Sequence, residues 1–183
     1  MSVFATHDDL VCVRHQRWLG CGPLKCIASE QFALTACPGL FVAHRLHQTL
    51  IRRWGRQVVR ARFYDAVDAL SRWRQWNIVT SDPGVAHRRA ALSIDDNEPP
   101  YTPKDFASWY PNIVALTELF VWQDDAIKRT GLRDRNVLEN GLQYVSHHVV
   151  QGLRPSGVWD PYLCARRTPP AVMPNEVEVL APD

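Results

Sequence analysis

From Leu40 to Trp76 the chain runs without a proline or a cluster of turn residues. Within that stretch Val42, Leu46, Leu50, Trp54 and Val58 recur every fourth residue. Ala61, Tyr64, Val67, Leu70 and Trp73 then continue at steps of three and four. An apolar stripe at this period predicts one long amphipathic helix. At about 1.5 Å per residue it would reach on the order of 50 Å, long enough to cross a bundle or brace a second chain. Gly55 is the expected bend, and Arg45, Arg52, Arg53, Arg56, Arg60, Arg62, Arg72 and Arg74 fall on the other faces.

The flanking segments are also read as helical. Thr6 and Asp9 resemble a capping pair that opens a helix over about 8–19, and "GCGP" at 20–23 is a turn. A second helix over roughly 24–36 ends before Pro38-Gly39, so residues 1–39 form a helical hairpin and 40–80 the long helix. "SDPG" at 81–84 closes that helix, and 81–101 is an irregular linker. Thr102-Pro103 gives a cap and a first-turn proline, Pro111 a second helix start, and Gly131 the end. Asp134 caps a further helix on which Leu138, Leu142, Val145 and Val149 share a face, completing a helical part over 102–154. Residues 155–183 hold six prolines and no period, and are expected to order against a partner. No strand is predicted; the fold class is all-α.

The 183 residues suit a single domain able to bury a core. The net charge of +2 conceals an asymmetry, because residues 1–92 carry 13 Lys+Arg against 6 Asp+Glu and residues 93–183 carry 8 against 13. The basic half is almost entirely Arg, which suits planar contacts to carboxylate or phosphate. The most apolar run, "IVALTELFVW" at 113–122, is too short to span a bilayer. The first residues, "MSVFATHDD", lack a basic start and an apolar signal core, so no targeting segment is expected. P-loop, GxGxxG, GxSxG and HExxH patterns do not occur.

"CVRHQRWLGCGPLKC" at 12–26 concentrates three of the five cysteines. Three readings are open. Cys12, His15, Cys21 and Cys26 supply ligand types that suit tetrahedral zinc. Across an antiparallel helical hairpin, Cys21 would instead face Cys26 and Cys12 would face Cys37, in reach of disulfide bonds. Buried free thiols are the third reading, and Cys164 has no partner under any of them.

Four cysteines in two helical pairs around a tight turn resemble the twin-cysteine (CHCH) hairpin of mitochondrial intermembrane-space proteins, several of which are accessory subunits of respiratory complexes. The likeness covers residues 12–37, with one cysteine spacing a residue shorter and the other a residue longer than in the family. It implies disulfide-bonded helices, import without a cleaved presequence, and a peripheral position on the intermembrane-space side of the inner membrane.

His44 and His47, at i and i+3, could share a ligand; the adjacent His147 and His148 point apart on a helix. Asp124-Asp125, beside Lys128 and Arg129, reads as an i, i+4 charge ladder. No catalytic residue, metal or cofactor is assigned. The expected role is a non-catalytic accessory subunit of a respiratory-chain assembly, meeting other protein subunits through Arg52, Arg53, Arg56, Arg60, Trp54, Trp73, Trp76 and Trp159. An RNA-associated structural protein using the Arg helix is the alternative, and a small zinc-stabilised or enzymatic domain a third.

Overall fold

The computed structural model describes residues 8–20, 31–75, 82–95, 97 and 102–130. They form a small sheet, β1 (Val11–Cys12), β2 (Arg17–Trp18) and β3 (Phe32–Ala33), followed by α1 (Pro38–Trp54), α2 (Arg56–Gln75), α3 (Pro83–Ala91) and α4 (Pro103–Thr130). The fold is mostly helical. The helix expected over 102–130 is present; the helix capped by Asp134 and the proline-rich tail lie outside the described residues.

The expected N-terminal helix is replaced by strands. β1 and β2 pair antiparallel, Val11 with Trp18 and Cys12 with Arg17, and β2 pairs antiparallel with β3, Trp18 with Phe32. A four-residue turn over 13–16 joins the first two, and Gln16 adopts φ 50 to close it. Its carbonyl accepts the Leu34 amide at 2.8 Å. Each strand is two residues long, so alternation had no length over which to show in the sequence.

The predicted long helix is broken at Gly55, where φ 87 and ψ 147 suit a residue without Cβ. The break reverses the chain. His47 in α1 stacks on Phe63 in α2 with ring centroids 4.9 Å apart, whereas sixteen residues of continuous helix would separate them by about 24 Å. The predicted stripe also shifts. Leu40, Ala43, His44, His47 and Leu50 face inward, while Val42 is 60% exposed. In α2 the buried face is Val59, Arg62, Phe63, Ala66, Ala69, Leu70 and Trp73.

α3 occupies part of the expected linker. Asp82 caps it by accepting the Val85 amide at 2.9 Å, with Pro83 in the first turn. Thr102 caps α4 by accepting the Asp105 amide at 3.2 Å. α4 continues through Pro111, where a second start was expected. Pro111 has no N–H for the carbonyl of residue 107; the next carbonyl, that of Ser108, accepts Arg88 Nε from α3 at 2.5 Å. α4 is the central element, packed against α1, α2 and α3. The sheet closes one side through Trp18, whose ring meets Tyr110 edge-on at 5.4 Å and lies near Phe32 and Phe106.

Candidate functional site

Three polar groupings stand out against this core. The first is buried. Tyr110 Oη lies 3.0 Å from His47 Nδ1 and 3.5 Å from His44 Nδ1. Burial pushes the Tyr110 phenol well above its ordinary value, with Asp8 adding to the shift. Burial likewise lowers the His44 pKa, against the opposing pull of Asp9 and Asp8. His44 and His47 therefore converge on a phenol, and among the described residues no three His, Cys, Asp or Glu side chains gather as metal ligands. Tyr110 carried no sequence signal, being far from both histidines along the chain.

The second grouping is a set of ionic ties between helices. Asp105, 1% exposed, accepts Arg74 at 2.9 Å and Arg89 at 2.7 Å, joining α2, α3 and α4. Asn112 receives Arg88 Nη2 at 2.5 Å and donates to Asp82 at 2.9 Å. Arg62 bridges to Asp124 on α4 and to Asp65. Of the expected Asp124-Asp125 ladder, Asp125 pairs with Arg129 at 2.7 Å, whereas Asp124 faces Arg62.

The third is the elbow itself. Residues 52–60, RRWGRQVVR, hold four arginines and no carboxylate. All four guanidinium-bearing side chains are exposed and flank Gly55. Arg52 reaches back to the Gln48 carbonyl and Thr49 Oγ1. Arg53 lies over the half-buried Trp54 ring, 5.0 Å from its centroid, and Arg60 over Tyr64 at 5.9 Å. Arg56 pairs with Asp8 at 2.8 Å; its own side chain is 69% exposed while that of Asp8 is 3% exposed. Among the described residues, Arg52, Arg53 and Arg60 form no ion pair with a carboxylate.

Of the residues expected to meet a partner, the elbow thus brings together Arg52, Arg53, Arg56, Arg60 and Trp54. Trp73 does not join them: it is buried in the core, because the break at Gly55 turns that face of α2 inward. Trp76 and Trp159 lie outside the described residues, as do Cys21, Cys26, Cys164, His147 and His148.

The cysteine readings change with the fold. Cys12 and Cys37 are free thiols, so the expected bond between them is absent. Cys12 Sγ instead sits 3.2 Å from His15 Nδ1 beside the 13–16 turn. Cys37 is buried at the start of α1, 4.0 Å from the Arg88 carbonyl, and burial raises its pKa while Arg88 opposes the rise. The strand register sets Gly20 and Gln31, which bound the segment carrying Cys21 and Cys26, at the end of the sheet opposite His15. The described half of the zinc set is a local Cys–His pair. Comparison with protein-family models, with curated proteins and with solved structures finds no match to this chain.

Proposed function

We propose that this chain is a non-catalytic accessory subunit that docks onto a larger protein assembly through the Gly55 elbow. The supporting observation is the contrast between its arginines. Arg62, Arg74, Arg88 and Arg89 are consumed as ties between helices. Arg52, Arg53 and Arg60 are exposed around one bend, Arg53 and Arg60 over aromatic rings, with no carboxylate partner among the described residues. Four like charges within nine residues repel one another, and an acidic surface laid against them would relieve that repulsion. Cys12 and Cys37 are not joined to each other, and the role is proposed without a compartment.

The test is the size at which the native protein migrates. Epitope-tagged full-length chain, extracted gently from its own cells and run on a native gel, is expected far above its 20.9 kDa mass. The Arg52→Glu, Arg53→Glu, Arg60→Glu variant is expected to shift to the free position. Wild-type migration as a free monomer overturns the accessory role.

A further inference from the structure

We infer that the elbow takes an acidic polypeptide segment in irregular or extended conformation, with carboxylates for Arg52, Arg53 and Arg60 and an apolar side chain set beside Trp54 and Val58. The inference deepens the accessory-subunit reading and rests on it.

The chain itself shows what the elbow accepts. Where one of its guanidinium groups is engaged by an acid, the acid is Asp8, on a non-helical segment that crosses from β1 to the start of α2. That segment is held at a second point, the Asp8 carbonyl accepting Gln48 Nε2 from α1 at 2.7 Å. A carboxylate on a strap lying over α1 and reaching Arg56 is the local pattern, and Arg52, Arg53 and Arg60 offer further places of the same kind. All four cations are Arg, whose planar fork receives both oxygens of a carboxylate.

The apolar part of the surface points the same way. Val58 is 38% exposed between Arg56 and Arg60, and Trp54 is only half covered. Arg53 already occupies one side of the Trp54 ring, which leaves less of it to stack on a nucleic-acid base than to meet an aliphatic side chain. Three unpaired cations would also give single-stranded RNA a weak hold, with a salt slope of only about −2.

The experiment uses purified full-length chain and fluorescence anisotropy. The probes are a labelled peptide of Glu residues around a central Leu, the same peptide with Gln for Glu, and a labelled oligouridylate of matching length, all at one salt concentration. The Glu peptide is expected to bind at least about tenfold tighter than the Gln peptide, a difference of about 1.4 kcal/mol, and tighter than the oligouridylate. The Arg52→Glu, Arg53→Glu, Arg60→Glu variant, which leaves the Arg56–Asp8 pair in place, is expected to lose the Glu peptide while keeping the wild-type urea midpoint. Equal binding of the two peptides, or tighter binding of the oligouridylate, overturns the inference, and neither depends on the variant folding. If the peptide fails while the native protein still migrates in a large assembly, the partner chemistry is wrong and the accessory role stands.

Discussion

At His44 two influences compete: burial disfavours the imidazolium, Asp9 and Asp8 favour it, and burial dominates. His47 faces it from α1 and Tyr110 from α4. The folded pKa lies below the ordinary 6.5, so between the two values the unfolded chain binds more protons than the folded one. Stability is complete above 6.5 and is lost as pH falls. The Tyr110 phenol shifts upward from 10.0, so the folded chain keeps its proton while the unfolded chain ionises, and stability declines above that pH. Urea midpoints measured across pH are expected to plateau at about pH 7 to 9 and to fall on both sides. In His44→Gln the acid decline is expected to move to lower pH; an unchanged acid decline would assign it elsewhere. The pairing of His44 with His47 could be read from their spacing on one helix. Their shared partner could not, because a phenol on another helix is placed by tertiary packing alone.

Among the elements, the α1–Gly55–α2 hairpin shows how local conformation redirects a strong pattern. The helical period on both sides of Gly55 was visible, and so was Gly55 as the weak point. The reversal was not, because a glycine in a helix tolerates either a bend or a full break, and burial of His47 against Phe63 selects the break. α3 was missed although Asp82-Pro83 bears the same cap-and-proline signature that identified α4 at Thr102-Pro103; the turn-like "SDPG" concealed it. Space is open around Gly55, since nothing lies within 4 Å of an added Cβ, so only backbone strain opposes a side chain there. Gly55→Ala is expected to lower stability by about 1–3 kcal/mol, the cost of holding a side chain at this extended positive-φ conformation. Gly39, in the first turn of α1, has equally open surroundings and no positive φ. Gly39→Ala is expected to raise stability by about 0.5 kcal/mol. The pair of midpoints in urea separates strain from crowding, because crowding would penalise neither.

On the scale of the whole molecule, α4 is the shared wall and Asp105 the point where three helices meet. Asp105 is almost wholly buried, while Arg74 and Arg89 are each roughly a quarter exposed. Solvent therefore reaches the cations but not the anion. Asp105→Asn removes the carboxylate that Arg74 and Arg89 share and is expected to cost about 2–3 kcal/mol, at or below the low end for a buried pair. Arg74→Ala, which removes one partly solvated member and leaves Arg89 in place, is expected to cost less, and equal losses would contradict the tie. The helical character of 102–130 was legible in its caps and apolar content. The charge network was not, because it joins residues far apart in the chain.

The separation between His47 and Tyr110 bears on how the protein is made. The α1–α2 hairpin leaves the ribosome complete while the residues of α4 are still being added, so Phe63 must wait without Phe106 and Tyr110, which pack against it in the folded chain. During that interval the nascent chain presents an apolar face suited to a chaperone, and emergence of residues 103–130 from the ribosome ends the exposure.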